Sequence, residues 1–207
     1  MDNIINKIKE LKDKSIYEII IHAKSLENGQ YECEELNIPK DSVLSSIVMN
    51  FNCIYVDNWI RILGQGNSEH NGIMYYNTLI EDNCLYGMFI VAYDIMGGIY
   101  AINISRFNTE KNMIWYFAPD MLEWESLNMN YWNFIVWATQ GNIDEFYETM
   151  RWKNWKDDCK NVKPNMCYLV YPFLWSKEYD ENTADRKIVP FDEVMKLNFD
   201  YCKKIQF

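Results

Sequence analysis

Two histidines, six cysteines and several adjacent pairs of acids are the residues of this chain that could do chemistry. His22 sits in "IIIHAK", inside a stretch read as helix, which points to a structural role. His70 follows Glu69 in the polar segment "GQGNSEHNG" and could titrate or bind a metal, but one loop histidine beside one carboxylate is a thin ligand set. Cys33, Cys53, Cys84, Cys159, Cys167 and Cys202 show no CxxC or knuckle spacing, so they are expected to be buried thiols acting as small hydrophobes. The acid pairs Glu123 and Glu125, Asp144 and Glu145, and Asp157 and Asp158 suit helix N-termini and solvated faces as well as they suit acid–base work. HExxH, GxSxG, Walker A and GxGxxG are all absent. "GQG" at 64–66 lacks a third glycine and is expected to let the chain leave a sheet at positive φ. The expectation is therefore no catalytic residue, no metal and no cofactor, in a chain that is not an enzyme.

Aromatic residues carry more signal. Trp115, Trp124, Trp132, Trp137, Trp152 and Trp155 crowd one part of the chain, either as a large core or as a groove for a partner. The formal net charge is −10, from 30 acids against 20 bases. That balance gives no footprint for nucleic acid, and it favours association with a basic protein, although solubility alone also explains it. No run approaches a membrane-spanning length of apolar residues, and "MDNIINKIKELKDK" lacks a signal-peptide core. A cytoplasmic location without membrane association is expected.

The elements that must position these residues read as helices, then strands, then helices. "IINKIKELKD" puts Ile4, Ile5, Ile8 and Leu11 on one helical face. "SIYEIIIHAKSLENG" reads as a second helix, with Ser15 and Glu18 as capping box, Leu26 on its apolar stripe and Gly29 as its stop. "SVLSSIVMNF" suits a short helix capped by Asp41, or a strand. "CIYV" and "WIRIL" flank Asp57-Asn58, a hairpin turn. "IMYYNTL" is a weaker segment of the same texture, and "MFIVAY", "IYAINI" and "MIWYFA" form a meander. "YWNFIVWATQG" is a helix between Asn130 and Gly141, and "NIDEFYETM" another, with Ile143, Phe146, Tyr147 and Met150 in register. "WKNWKDDCKN" is a short helix, "MCYLVYPFLW" a last strand before Pro172, and "FDEVMKLNF" a terminal helix. This order predicts one α+β domain over residues 1–207, an antiparallel sheet packed by N-terminal and C-terminal helices, with residues 1–40 helical.

"DNWIRILGQGN", "FIVAYDIMGGIYAIN", "WYFAPDMLEWESL", "FIVWATQGNIDEFYETMRWKNW" and "YPFLWSKE" stand in an order that resembles the bacterial family of domain of unknown function 2625. The resemblance is strongest from about Cys53 to Phe191. It implies a SUKH-like fold, a superfamily that includes immunity proteins binding bacterial toxins, and it carries over no catalytic residue. The chain departs from family members in having Tyr93-Asp94 where they have paired acids, and "ISRF" where they are glycine-rich.

Trp59, Arg61, Asp94, Asp120, Glu123, Trp124 and Trp152 are the candidate binding edge. In the leading reading the chain is a non-enzymatic protein-binding module, in its immunity form facing a basic toxin-like domain. A second reading is a small-ligand binder or enzyme with a cleft near Arg61, Asp94, Asp120, Glu123 and Trp124, where Arg61 clamps a carboxylate or pairs with Asp120. The third is a structural or regulatory homodimer.

Overall fold

The structure is a computed structural model that describes residues 2–23, 29–78 and 82–205. Helix α1 (Asp2–Lys14) opens the chain and is followed by strand β1 (Ile19–Ala23) and helices α2 (Gly29–Glu35) and α3 (Val43–Asn50). Strands β2 (Phe51–Val56) and β3 (Ile60–Leu63), helix α4 (Ile73–Thr78) and a short 3-10 turn (Asn83–Leu85) lead into four more strands. These are β4 (Met88–Asp94), β5 (Ile99–Asn103), β6 (Ile114–Ala118) and β7 (Glu123–Met129). Helices α5 (Tyr131–Gln140), α6 (Ile143–Phe146) and α7 (Trp155–Cys159) come next, then the strand pair β8 (Met166–Tyr171) and β9 (Asp185–Pro190), and helix α8 (Phe191–Ile205).

Strands β1 to β7 form one antiparallel sheet in chain order, a full meander, and β8 pairs with β9 in a separate two-stranded sheet. The α+β class expected from the sequence is observed. Consecutive pairing follows from short connections, of which Asp57-Asn58 is the tightest. Both residues sit at φ +53, the left-handed pair that a two-residue turn of this twist requires. Burial then sorts the faces. Ile54, Val56, Ile60, Ile62 and Tyr100 face α3, α5 and α6, while Cys53, Tyr55, Arg61, Tyr93 and Phe117 face α4, α8 and the β8–β9 pair. With helices or strands on both faces, the central strands are buried on both sides and apolar apart from Asn52, Arg61, Asp94 and Asn103, not alternating.

Several expectations need correction. The segment after Ser15 is a strand, not a helix; Ile19-Ile20-Ile21 is a β-branched run that pairs antiparallel with β2 and forms the other edge of the sheet. Leu26 lies outside the described residues. The intended cap residues serve elsewhere: Ser15 Oγ donates to the Thr139 carbonyl at 2.5 Å, and Glu18 accepts from Asn58 Nδ2 at 2.8 Å. Helix α3 is capped by Ser42, whose side chain accepts from Ser45 N–H, and not by Asp41, which sits at φ +63.

"IMYYNT" is helix α4. Asn77 on it donates to the Ile90 carbonyl at 2.9 Å and accepts from the Ile90 N–H at 2.8 Å, standing in for a strand neighbour where β4 bulges. "LEWESL" is not a lead-in to α5 but the seventh strand. Helix α6 stops at Phe146, four residues short of Met150, although Ile143, Tyr147 and Met150 are all buried as the periodicity predicts. No helix among the described residues is long and apolar enough to cross a membrane.

Candidate functional site

Four of the seven candidate residues are interior. Trp59 is fully buried under Tyr147, Trp152 and Trp155, with the Arg151 guanidinium 4.8 Å from its ring centre. Trp152 donates from Nε1 to Asp158 Oδ2 at 2.6 Å and carries Arg186 over its ring at 4.2 Å. Arg61 and Asp94 project to opposite faces of the sheet, because Asp94 pairs with Ile60, the neighbour of Arg61. No cleft joins them.

Arg61 does not pair with Asp120. Its guanidinium stacks on Tyr55 at 4.2 Å and donates to the carbonyls of Val162 at 2.9 Å and Lys163 at 3.4 Å, pinning the segment before β8 to the sheet. Among the described residues no carboxylate forms an ion pair with it. Asp94 is a turn organiser. Its Oδ1 accepts from Met96 N–H and Gly98 N–H, and its Oδ2 accepts from the Tyr116 hydroxyl at 2.7 Å and the Tyr147 hydroxyl at 3.2 Å. A Cβ at Gly98 would lie 2.2 Å from both Asp94 Oδ2 and the Tyr116 oxygen, so only glycine closes this turn. Complete burial raises the Asp94 carboxyl above its usual range, and its four donors pull the other way.

Asp120, Glu123 and Trp124 share a corner. The β6–β7 turn, Pro119 to Leu122, is closed by Leu122 N–H donating to the Ala118 carbonyl at 2.8 Å. Trp124 lies edge-on to Phe117 and donates from Nε1 to the Cys84 carbonyl at 3.1 Å, which anchors β7 to the 3-10 turn. Glu123 and Glu125 are exposed on the other face of β7, which is an edge of the sheet. Burial first, then the negative charges of Asp120 and Glu123, raise Glu125; burial raises Asp120. Among the described residues none of these three acids forms an ion pair. The corner is a net negative strip on an open strand.

A second cluster was not legible from spacing. His22 on β1 lies directly across from Cys53 on β2, and the loop from Gly64 to Gly72 folds His70 back over both. Ligand-capable atoms of His22, Cys53 and His70 all lie within 4.8 Å of one another, and the two imidazole centres are 4.6 Å apart. Burial drives the Cys53 thiol up to about 12, opposed by the Tyr55 hydroxyl and the Arg61 guanidinium. Desolvation lowers both histidines, aided by Arg61 at His22 and by His22 itself at His70. The signal that could have found this group was the placement of His22 on a strand opposite Cys53, which the helical reading concealed.

The profile of the family described as protein of unknown function DUF2625 matches residues 1–194. The chain belongs to the DUF2625 family. Among its relatives is the uncharacterised Escherichia coli (strain K12) protein YbfG, 29% identical over 166 residues, which span 80% of this chain and 76% of that protein. An uncharacterised Haemophilus influenzae protein is 29% identical over 178 residues, 84% of this chain and 74% of its own length. No solved structure matches. The DUF2625 match takes in the N-terminal part as well, beyond the block from Cys53 to Phe191 where the resemblance is strongest.

Proposed function

We propose that this chain is a non-enzymatic protein-binding module of the SUKH type whose partner is a basic protein, a toxin neutralised by complex formation being the specific form. The observation that carries the reading is the open β7 edge, where Glu123 and Glu125 stand exposed beside Asp120 with no ion pair among the described residues. An unpaired strand edge offers backbone donors and acceptors to an incoming strand, and the carboxylates select and steer a positively charged one. The interior polar groups support the non-enzymatic part, because Asp94 and Arg61 are spent on holding backbone and lack access to solvent. A SUKH relationship fits an antiparallel sheet with helices on its faces, as a fold-level analogy.

The test is affinity capture with quantitative mass spectrometry, comparing the wild-type chain with a Glu123→Lys/Glu125→Lys variant at low and high salt. A basic protein should be enriched by the wild type, lost with the variant and weakened by salt as screening shortens the reach of the strip. Equal capture by both chains, or none by either, overturns the proposal.

A further inference from the structure

We infer that His22, Cys53 and His70 form a site for a borderline divalent transition-metal ion of the zinc class, bound by two imidazole nitrogens and one thiolate. Three observations converge. Both histidines of the chain meet at this one place, from β1 and from a loop, beside a buried cysteine on β2. The Nε2 atoms of both histidines are buried without a hydrogen-bond partner, and His70 as a whole is 6% exposed. An orphaned buried nitrogen has lost its water without gaining a partner, and one ion would satisfy two of them.

The tautomer of His70 is set for ligation. Asn67 Oδ1 accepts from the N–H groups of Glu69 and His70, which identifies it as the amide oxygen, and it lies 3.1 Å from His70 Nδ1. That oxygen can only accept, so Nδ1 carries the proton and Nε2 holds the free lone pair, the outer-shell arrangement typical of a metal-bound histidine. The loop is fixed from outside as well. Asn165 Oδ1 accepts from Asn71 N–H at 2.7 Å and its Nδ2 donates to the Glu69 carbonyl at 2.8 Å.

Binding replaces a proton: the Cys53 S–H bond breaks, an S–metal bond forms, and the proton leaves to solvent with no change of oxidation state. Arg61 favours the thiolate but opposes positive charge at both histidines, and the Glu69 carboxylate acts against that opposition. Around zinc, donor atoms at about 2.0–2.3 Å from the ion sit roughly 3.3–3.8 Å apart, so the cluster draws in by about 1 Å on binding. Three protein donors leave a fourth position for water or an incoming ligand.

The test uses the full chain, stripped with chelator and kept reduced, titrated with Co²⁺ and followed by absorption, with competition by Zn²⁺. Visible d–d bands of tetrahedral strength and a thiolate-to-cobalt charge-transfer band should saturate at one ion per chain and be displaced by zinc. Cys53→Ser should remove the charge-transfer band, His22→Ala and His70→Ala should each collapse the d–d intensity, and Asn67→Ala should weaken binding about 10-fold. Zinc should raise the melting temperature of the wild type and not that of Cys53→Ser, while circular dichroism confirms that the variants are folded. A wild-type chain with no charge-transfer band, or bands unchanged in Cys53→Ser, overturns the inference.

Discussion

Asp94 illustrates how a residue that looks catalytic in a sequence can be wholly structural. Its carboxylate closes the Ile95–Gly98 turn with one oxygen and joins two tyrosine hydroxyls with the other, and Tyr147 continues the chain of hydroxyls to Tyr100. Asparagine can keep this arrangement, since its oxygen still accepts from both N–H groups and its amide can donate to tyrosine oxygens whose hydroxyls rotate. Alanine leaves the Met96 and Gly98 N–H groups and the Tyr116 hydroxyl unpaired, while the Tyr147 hydroxyl keeps Tyr100. Urea denaturation should therefore show Asp94→Asn close to wild type and Asp94→Ala destabilised by about 3–5 kcal/mol. Glu32 yields the pH prediction. Burial raises it from 4.5 to about 7, so the folded chain holds a proton that the unfolded chain has already released. The stability this provides is complete below pH 4.5 and is lost as pH rises through about 7. Midpoints measured on either side of that window should fall with rising pH in the wild type, and Glu32→Gln should flatten the slope.

At the scale of elements, the sequence predicts best where local chemistry and final context agree. The Asp57-Asn58 turn, the β4–β6 meander and the Asn130 and Gly141 limits of α5 follow from residues that act on their own neighbours. Strand β1 is hidden in the sequence because "IIIHAK" satisfies a helical stripe equally well; what decides it is its pairing with β2, about thirty residues later. Strand β9 carries Asp185, Arg186 and Lys187 and ends at Pro190, so no alternation announces it, and its existence rests on β8. The candidate site inherits that limit: the His22–Cys53 juxtaposition is invisible until β1 is a strand. The loop that carries His70 depends on Gly66, at φ +74, where an added Cβ would meet Gly72 N and the His70 carbonyl at 2.4 Å. Both obstacles are backbone, so the loop must shift. Gly66→Ala should lower stability by about 2–4 kcal/mol in chemical denaturation and raise hydrogen exchange across residues 64–72, with the rest of the sheet unchanged.

For the molecule as a whole, the decisive feature is a seven-stranded meander whose final strand has no neighbour on its outer side. Open edges invite pairing with other copies, and β7 carries two devices against it. Asn128 at φ +52 marks a bulge, where the register between Ile114 and Trp115 slips, and Glu123 and Glu125 place like charges along the strand. Two copies brought edge to edge would oppose carboxylate to carboxylate, whereas a basic strand would meet no such barrier. On the reading proposed above, the same residues would oppose self-pairing through β7 and favour a cationic partner there. Replacing both acids with valine removes the repulsion and raises β-propensity while leaving the buried face, anchored by Trp124, intact. Glu123→Val/Glu125→Val should keep the wild-type far-ultraviolet spectrum but form dimers or larger species in light scattering as concentration rises. Glu123→Gln/Glu125→Gln, neutral but still polar, should lie between that variant and the wild type. If the valine variant stays as monodisperse as the wild type across the concentration range, the charges on β7 are not what guards the edge, and the case for a basic partner at this strand loses its physical basis.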